Sequence, residues 1–370
     1  MRVAYIVHNL TVGGAETLVV NYLIELKKNQ CDVSLIQFTS VDTFLLEKLK
    51  QNDIPVYTIH PTQRKGVLFR VLSKLDRIVR EKRRINHLIR MINPDIIHCH
   101  TSIPYIEQLD LNPNQIFYTF HTAVDRAFAY APKRFREGLK ILLRNGGQVI
   151  ALSKEMKQDV LRNYPMANVK VIPNGVSINA IRDETYEKKV FLRELGLPEN
   201  AFVVGHVGRF HPVKNHEKLI DIFAEIKRVE KDACLLLVGS GDSSRTEKLH
   251  QLVREYGLDE NVFFLGERAD ATRVMSVFDL FLLPSVVEGF SLVLVEAQAH
   301  GVRSIATDSV PEEVVINPNC FKMDVNKSSK EWCDLALGKQ TKDTCKQLES
   351  VDIQTSIQKH IEVYRRALRQ

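Results

Sequence analysis

Short apolar runs alternate with amphipathic stretches through most of the chain. In the first half, runs of Val, Ile, Leu and aromatic residues are bounded by Asn, Asp, Gly or Pro, which is the pattern of buried strands. We expect strands at Val3–His8, Cys31–Phe38, Pro55–His60, Asp95–His100, Ile116–His121, Gln148–Ser153 and Val169–Pro173. Helical stretches lie between most of them, beginning with Glu16–Asn29. This alternation predicts an α/β domain whose parallel sheet is covered by helices on both faces.

The same pattern begins again near residue 201. Strands are expected at Ala201–Gly208, Ala233–Gly239, Val262–Gly266, Asp279–Pro284 and Arg303–Ala306, and the helices between them include Asn215–Val229 and Thr246–Tyr256. The polar stretch Ser177–Asn200 is the predicted linker region. We therefore predict two doubly wound, Rossmann-like α/β domains, 1–176 and 177–353, with a final helix over 354–370. Such domains bind ligands at the carboxyl ends of their strands.

Length and composition agree with this division. A chain of 370 residues is longer than one hydrophobic core usually supports. It has no run of eighteen apolar residues and opens directly on a strand pattern, which argues against a membrane span and a cleaved signal peptide. The six cysteines are scattered without a Cys-x-x-Cys pair, so we expect reduced thiols and a cytoplasmic protein.

The charge is unevenly distributed. Residues 1–175 contain 25 Lys and Arg against 15 Asp and Glu, a formal charge of +10, whereas the remainder carries −4. Residues 64–90 combine many basic residues with apolar residues at helical spacing, which predicts a basic amphipathic helix suited to an anionic membrane surface. The alternative is an ordinary helix of an α/β layer with a solvated basic face. Nucleic acid is a weaker alternative, because nothing nearby resembles a known binding module.

The most informative segment for function lies between residues 285 and 301. Glu288 and Glu296 stand eight residues apart, across the predicted junction between a strand that ends at Pro284 and a helix. The first amides of such a helix lack intrahelical acceptors and can hold a phosphate. These amides belong to Phe290, Ser291 and Leu292. A carboxylate for sugar hydroxyls, amides for a diphosphate and a second carboxylate for a ribose diol together suit a nucleotide sugar. The alternative is a pair of solvated surface charges.

Cationic residues follow the first predicted strand of the second half. Arg209 and Lys214 flank a tight turn that leads into a helix, so both side chains are expected near the strand ends. An arginine fork and a lysine point charge suit the two phosphates of a nucleoside diphosphate leaving group. No Asp-x-Asp stands in a convincing loop, so we predict no metal, and positive side chains would neutralise the leaving group. The alternative is a pair of ordinary basic residues at a helix start.

Glycines mark several predicted strand ends. Gly13 and Gly14 separate the first strand from the first helix, where backbone amides can approach a phosphate closely. A plain turn is the alternative. In the second half, Gly239 and Gly266 end two further strands. Neither half has Gly-x-Gly-x-x-Gly after its first strand, which weakens a dinucleotide-dehydrogenase interpretation.

Three of the histidines at or near predicted strand ends of the first half are candidates for a functional role. His121 is expected near the ligand, and a structural role is the alternative. His98 and His100 share one face of a strand by alternation, which permits a metal site but favours packing.

The Glu-x7-Glu spacing of Glu288 and Glu296 resembles the signature of retaining glycosyltransferases with the GT-B fold, in particular family 4. The Gly-Arg…Lys-Asn pattern over 208–215 and the Gly-Gly-Ala-Glu loop over 13–16 are also similar to those of this family. The resemblance spans essentially the whole chain and is closest to bacterial enzymes that assemble exopolysaccharide, capsule or lipopolysaccharide units. Ser291, at a position that is frequently glycine, and the ending Ala299-His300-Gly301 are departures.

The resemblance implies a GT-B fold, in which two Rossmann-like domains face each other across a cleft and the last helix crosses back to the first domain. It implies a nucleotide-sugar donor, with UDP the most frequent carrier, and backbone contacts to the base near Leu265 and Gly266. It also implies that His121 contacts the transferred sugar and that the first domain binds the acceptor, often a lipid-linked glycan. The implied donor-binding residues are Gly13, Gly14, Arg209, Lys214, Gly239, Leu265, Gly266, Glu288, Gly289, Phe290, Ser291, Leu292 and Glu296.

The expected function is retaining transfer of a sugar from a nucleotide sugar, without metal or cofactor, at the cytoplasmic face of the membrane. The expected catalytic residues are Glu288, His121, Arg209 and Lys214. No residue stands out as a covalent nucleophile, which is consistent with same-face attack assisted by the leaving phosphate. The alternatives are a UDP-sugar 2-epimerase on the same fold and a non-catalytic subunit that binds nucleotide sugar or membrane. The donor groups and the basic helix favour a transferase.

Overall fold

The computed structural model of the protein describes residues 1–11, 13–60, 74–131, 133–338 and 348–369. The chain forms two compact units, one of Met1–Gly175 with Ile353–Gln370 and one of Val176–Asp352. Each unit is built on one parallel sheet with helices between the strands, so the predicted doubly wound α/β class is confirmed. Among the described residues, no helix has the length and apolar composition needed to cross a bilayer.

The first unit begins with alternating strands and helices. Its strands are β1 Arg2–Val7, β2 Asp32–Thr39, β3 Val56–His60, β4 Ile96–Cys99, β5 Ile116–Thr119, β6 Gln148–Ala151 and β7 Asn168–Val171. Its helices up to residue 175 are α1 Gly14–Lys28, α2 Phe44–Gln51, α3 Lys74–Ile92, α4 Val124–Tyr130, α5 Lys133–Arg144 and α6 Lys154–Asn163. The strands lie side by side in the order β3-β2-β1-β4-β5-β6-β7.

The second unit repeats this plan. Its strands are β8 Phe202–Val207, β9 Ala233–Val238, β10 Val262–Gly266, β11 Leu280–Leu283, β12 Arg303–Thr307 and β13 Cys320–Met323. Its helices are α7 Ile178–Asp183, α8 Lys188–Glu194, α9 His216–Val229, α10 Ser243–Glu255, α11 Ala271–Met275, α12 Leu292–Ala299 and α13 Ser329–Ala336. The strand order is β10-β9-β8-β11-β12-β13. The central strands are apolar along their whole length because both faces of the sheet are covered.

The last helix, α14 (Ile353–Ala367), belongs to the first unit and packs against α1. Ile357 and Tyr364 on its inner face are completely buried. The chain enters and leaves the second unit at one place, where Val176 and Asp352 form a parallel bridge.

Both sheets reverse their strand order beside their first strand. In the first unit the chain moves outward from β1 to β3 and then continues on the other side of β1 with β4. In the second unit the same reversal separates β8 from β11. A crevice opens at the carboxyl edge of such a sheet, because the connections on the two sides of the reversal run in opposite directions. Residues that follow these four strands therefore stand where this architecture binds ligands.

One expectation from the sequence is wrong, and one strand was not predicted. The predicted linker region 177–200 contains two short helices, α7 and α8, whose residues Ile178, Ile181, Phe191 and Leu192 are buried in the second unit. Strand β13 was not predicted, because its short Cys-Phe-Lys-Met sequence mixes apolar and charged residues. It lies at the edge of the sheet, where only partial burial is required.

The predicted basic helix over 64–90 is described only in part. Residues 61–73, with Arg64, Lys65 and Arg70, lie outside the described residues, and α3 begins at Lys74. In α3, Ile85 and Ile89 are buried while Arg80 and Arg83 are exposed. The described part therefore packs as an α/β-layer helix with a solvated basic face.

Candidate functional site

Two loops at the carboxyl edge of the second sheet carry predicted donor-binding residues. One follows β8 and contains Arg209 and Lys214, and the other follows β11 and contains Glu288. The loops are neighbours because β8 and β11 are paired strands. The Nζ of Lys214 donates a hydrogen bond to Oε1 of Glu288 over 2.7 Å, and the Glu288 side chain is only 9% exposed. One predicted cation and one predicted carboxylate thus meet where the strand order reverses.

Backbone contacts fix these two loops against each other. The amide of Val286 donates to the carbonyl of Val213 at 2.8 Å, and the side-chain amide of Asn215 donates to the carbonyl of Pro284 at 3.1 Å. Asn215 has φ 54° and ψ 49°, a left-handed conformation that asparagine tolerates better than most residues. This turn brings Lys214 back over the sheet edge before α9 begins. The ion pair is therefore positioned by the backbone on both sides.

The helix after Glu288 begins later than the sequence predicted. Ser291 is the N-cap of α12, so the amides without intrahelical acceptors are those of Ser291 to Leu294. Of the three predicted amides, those of Ser291 and Leu292 belong to this set and that of Phe290 does not. The apolar pattern does not mark this start, because Phe290 is itself buried in the loop. The Ser291 hydroxyl makes no capping hydrogen bond and has no partner among the described residues. Gly289 also lies in the loop, before the helix.

Glycines are adjacent at the carboxyl ends of β8, β9 and β10. Gly239 has φ +137°, and a Cβ atom on it would lie 2.1 Å from the carbonyl oxygen of Gly208. Its amide donates to the carbonyl of Gly266 at 2.8 Å. Only glycine fits at position 239, because its conformation disfavours a side chain and the neighbouring loop occupies the space. Arg209, next to Gly208, is exposed at this edge.

The predicted base-binding segment ends the edge strand β10. Leu265 is partly exposed and Gly266 is exposed with φ +70°. The following Glu267 accepts a hydrogen bond from the Ser240 hydroxyl at 2.6 Å, which joins the ends of β9 and β10. Backbone groups of this segment are thus accessible at the same sheet edge as Gly239.

Glu296 is not part of the Lys214–Glu288 pair. It is the fifth residue of α12, and its carboxyl group bonds to the side chain of Thr272 in α11. Burial raises the pKa of Glu296 to about 7. The ring of His300 donates from Nε2 to the carbonyl of Thr272 at 2.8 Å, which fastens α12 to α11 again. The two predicted carboxylates therefore have different partners, the ammonium of Lys214 for Glu288 and the side chain of Thr272 for Glu296.

Two buried histidines lie beneath the cationic loop, and the sequence did not single them out. His206 in β8 and His216 in α9 are fully buried with ring centroids 4.8 Å apart. Burial lowers the pKa of His206 to about 4 and that of His216 to about 2. Local sequence does not distinguish them from surface histidines, because only the contact between strand and helix removes them from water.

In the first unit, the Gly13-Gly14 turn begins α1. Gly13 is the N-cap and Gly14 the first residue, so the free amides of a 15-residue helix stand at the carboxyl edge of the first sheet. A Cβ atom on Gly13 would lie 2.5 Å from a carboxylate oxygen of Glu16. The N-cap is a glycine, which has no side chain with which to cap the helix, and Glu16 places a carboxylate in the first turn.

His121 and His100 meet at the neighbouring ends of β5 and β4. Nδ1 of His100 and Nε2 of His121 are 2.9 Å apart. Burial lowers the pKa of His121 to about 4 and that of His100 well below its usual value, so both rings are neutral near pH 7. In His98, Nε2 contacts the Thr119 hydroxyl at 2.7 Å and Nδ1 contacts the Tyr364 hydroxyl at 2.6 Å. Both ring nitrogens of His98 are therefore engaged within the first unit.

Two family models match the chain. The model described as Glycosyltransferase Family 4 matches residues 12–180, and the model described as Glycosyl transferases group 1 matches residues 201–334. The chain belongs to glycosyltransferase family 4. The first match includes the Gly13-Gly14 turn and His121, and the second includes the residues from Arg209 to Glu296. The suspected family resemblance is confirmed.

Relatives in this family come from several bacteria. The putative glycosyltransferase EpsF of Bacillus subtilis (strain 168) is 26% identical over 85% of this chain and 80% of that protein. The N-acetyl-alpha-D-glucosaminyl L-malate synthase of Bacillus anthracis is 29% identical over 60% of this chain and 59% of that protein. The Escherichia coli UDP-Gal:alpha-D-GlcNAc-diphosphoundecaprenol alpha-1,3-galactosyltransferase is 29% identical over 44% of this chain and 42% of that protein.

Solved structures share the whole fold. A glycosyltransferase from Rickettsia africae has a TM-score of 0.76 and 20% identity, with 100% of this chain and 99% of that chain covered. Anabaena HepE in complex with UDP-glucose has a TM-score of 0.74 and 22% identity, with 100% of this chain and 98% of that chain covered. These similarities show the fold, which is GT-B.

Proposed function

We propose that this protein is a retaining glycosyltransferase that transfers a sugar from a UDP-sugar to a glycan or polyprenyl-linked glycan in surface polysaccharide synthesis. The observation that carries the proposal is the Lys214–Glu288 ion pair where the second sheet reverses its strand order. The helix that follows Glu288 also begins with free amides at this edge. A cation, a carboxylate and helix amides suit a diphosphate joined to a sugar.

In this proposal, positive groups of the second unit neutralise the leaving diphosphate. Arg209 is exposed at the end of β8, and Lys214 is held beside Glu288. Groups that are already oriented stabilise charge as it develops in the transition state, because they need no rearrangement during the reaction. The mechanism therefore needs no metal ion, and the rate is expected to be the same with and without a chelator.

The configuration at the anomeric carbon is retained if the acceptor attacks the face from which the diphosphate departs. The bond from the anomeric carbon to the phosphate oxygen breaks, and the bond to the acceptor oxygen forms on the same face. The acceptor proton passes to the leaving phosphate. Glu288 orients the sugar hydroxyls, and Glu296 accepts hydrogen bonds from the ribose. His121 contacts the sugar as a neutral ring, so it adds no positive charge beside an oxocarbenium-like transition state.

The names of similar proteins support the donor and acceptor classes. Anabaena HepE forms complexes with UDP, with UDP and glucose, and with UDP-glucose. The name of the Escherichia coli relative gives a UDP-galactose donor and an acceptor on diphosphoundecaprenol. UDP-sugars and lipid-linked glycans are therefore the first substrates to test.

The deciding experiment measures UDP release from a panel of UDP-sugars with and without a lipid extract that contains acceptors. Release only with the extract supports a transferase, a new sugar nucleotide without UDP release indicates an epimerase, and no reaction indicates a binding protein. The anomeric configuration of the product, read by NMR, is expected to match that of the donor.

Variants test the site in the same assay. Glu288→Ala and Lys214→Ala should each lower transfer by at least about 100-fold, because each removes a charged group next to the reacting centre. Glu247→Ala, in the exposed ion pair with Arg254 on α10, is the matched control and should retain the rate. Circular dichroism should show all three variants folded. Near-normal turnover of both site variants would refute the assignment.

We further propose that the first unit meets an anionic membrane surface. Helices α3 and α5 both contact the turn at Ile106–Gln108. Their exposed sides carry the basic residues Arg80, Arg83, Lys133, Arg134, Arg136, Lys140 and Arg144. Each cation near an anionic leaflet contributes about 1 kcal/mol. Co-sedimentation with phosphatidylglycerol vesicles should occur at low salt and decrease at high salt, whereas no binding at low salt contradicts this part of the proposal.

A further inference from the structure

His100 lies between the buried core of the first unit and His121. We infer that His100 is a positioning residue, which donates a hydrogen bond to His121 and holds it in the tautomer that presents an N–H group from Nδ1. That the ligand of His121 is the transferred sugar rests on the proposed function. The tautomer itself rests only on contacts within the first unit.

Strand register explains why these two rings meet. In the pairing of β4 with β5, His98 stands opposite Phe117 and Cys99 opposite Tyr118. Paired residues of parallel strands project to the same face, so the face that carries His98 also carries His100 and, beyond β5, His121. The amide of His100 donates to the carbonyl of Ile6 at 2.8 Å, which ties the end of β4 to β1. The His100 backbone is therefore fixed where the strand order reverses.

The short contact between the rings of His100 and His121 requires one hydrogen atom between the two facing nitrogens. His100 Nδ1 and His121 Nε2 are 2.9 Å apart, the distance of a hydrogen bond. Two bare nitrogens or two N–H groups at this distance would repel each other, so one ring donates and the other accepts. Burial keeps both rings neutral near pH 7. Two arrangements remain, which differ in the ring that donates.

The second nitrogen of His100 decides between them. Nε2 of His100 is buried and has no hydrogen-bond partner among the described residues. If His121 donated, this Nε2 would carry an N–H group with no acceptor. If His100 donates, Nε2 is a bare acceptor, and buried acceptors without a partner occur more often than buried N–H groups without one. His100 is therefore the donor, and the remaining hydrogen of His121 is on Nδ1. Such a donor suits an oxygen atom of a sugar or a phosphate.

The ring of His100 is held by neighbours that lead to α14. Its centroid lies 4.6 Å from that of Tyr5 and 4.2 Å from that of His98. The hydroxyl of Tyr364 in α14 contacts Nδ1 of His98 at 2.6 Å and the hydroxyl of Tyr5 at 3.1 Å. The C-terminal helix thus fixes the two rings that hold His100, and His100 in turn orients His121.

Nitrogen-15 NMR of the full chain with labelled histidines tests the tautomer directly. In the wild-type protein, Nδ1 of His121 should carry the hydrogen and Nε2 should be bare, with the signals assigned by their loss in His121→Gln. In His100→Leu, the His121 signals should move toward a mixture of both tautomers. His100→Asn retains an amide donor near the position of Nδ1 and should restore the wild-type pattern. A hydrogen on Nε2 of His121 in the wild-type protein would overturn the inference.

The kinetics of sugar transfer test the role of His100 in a second way. His100→Leu should lower kcat about tenfold, the equivalent of one hydrogen bond, with little change in the donor KM. His100→Asn should recover most of that loss. The matched control is His360→Leu, because His360 is buried in the same cluster and contacts the Ser356 carbonyl. An equal loss of kcat and an equal shift of the His121 signals in that control would mean that packing alone is responsible, and the inference would fail. A protein that shows the expected tautomer but transfers no sugar would overturn only the proposed function.

Discussion

Glu288 and Glu296 lie eight positions apart in the sequence, yet their surroundings give them different chemistry. Glu288 accepts a hydrogen bond from the ammonium of Lys214, whereas the half-buried Glu296 bonds to the side chain of Thr272. Because burial disfavours its charged form, the pKa of Glu296 rises to about 7. Near neutral pH, Glu296 is therefore a mixture of the neutral and ionised forms.

This mixture predicts a pH dependence of donor binding. If the ribose hydroxyls donate to the Glu296 carboxylate, the donor binds the ionised form, so affinity rises with pH through the folded-state pKa. Between pH 6 and pH 8 the dissociation constant of UDP-glucose should fall about tenfold, as the ionised fraction increases. Glu296→Gln should remove this dependence, whereas Glu247→Gln on the exposed side of α10 should retain it. Calorimetric titration measures both, and a flat wild-type profile would contradict the role of Glu296.

The positions of several residues could be predicted from the sequence because these residues follow apolar strand runs. Arg209, Lys214 and Glu288 stand in loops directly after such runs, where α/β sheets place ligand contacts. The burial of His216 and the proton position on His121 leave no trace in the sequence. They depend on neighbours that are distant in the chain.

Among the elements, the loops after β8, β9 and β10 form one connected edge. The amide of Gly208 donates to the carbonyl of Val238 at 2.9 Å, and the amide of Phe210 donates to the carbonyl of Ser240 at 2.6 Å. Gly239 lies between these two bonds, so the loop that carries Arg209 cannot move away from it without breaking them. Gly239 therefore supports both the fold and the position of a predicted donor contact.

Gly239→Ala is expected to destabilise the protein by more than about 3 kcal/mol, because it adds a strained conformation and a clash with the Gly208 carbonyl. Gly257→Ala is the matched control. Gly257 has φ +64°, and a Cβ atom on it would meet no atom within 4 Å, so the cost there should be only about 1–2 kcal/mol. Urea unfolding gives both values, and UDP-glucose affinity should decrease in Gly239→Ala alone. Equal stability of the two variants would disprove the steric argument.

Element centres were predicted more accurately than element ends. The apolar run after Phe290 predicted a helix, and α12 begins one residue later, after Ser291, whose ψ of 97° is not helical. Periodicity shows which residues face the core, whereas the start of a helix depends on the conformation of one capping residue. Of the three amides predicted at this site, that of Phe290 therefore precedes the helix, whereas those of Ser291 and Leu292 belong to its free N-terminal amides.

Across the whole molecule, buried neutral histidines occur in both units. Burial lowers the pKa of His121, His206 and His360 to about 4 and that of His216 to about 2. In the unfolded chain these residues take up protons near their ordinary pKa of about 6.5. The folded state therefore loses stability as the pH falls from about 6.5 toward these lower values. Glu296 has the opposite effect, because its raised pKa favours the folded state at lower pH. It is a single residue, however, and the four histidines together have the larger effect.

We expect the free energy of unfolding to decrease between pH 7 and pH 5, by up to about 1.4 kcal/mol per pH unit for each buried histidine. Urea unfolding followed by circular dichroism at several pH values measures this slope. His360→Leu should reduce the slope of the unfolding free energy against pH by the contribution of about one proton. His87→Gln, at an exposed position on α3, should leave the slope unchanged. Constant stability over this pH range would show that these rings are not buried in the neutral form.

The sequence by itself determined the α/β class, most of the succession of strands and helices, and the family. Strands covered on both faces appear as continuous apolar runs, and the ligand-binding loops directly follow them, so both are local properties of the chain. The Glu-x7-Glu spacing and the Arg209–Lys214 turn are local in the same sense.

Only the tertiary structure decided which groups meet. Lys214 bonds to Glu288 because β8 and β11 are neighbours, although about seventy residues separate them in the chain. In the same way, Tyr364 of the last helix reaches His98, and His100 reaches His121. Strand pairing and burial set these contacts and the resulting pKa values, and both arise from residues distant in sequence, which a local pattern cannot specify.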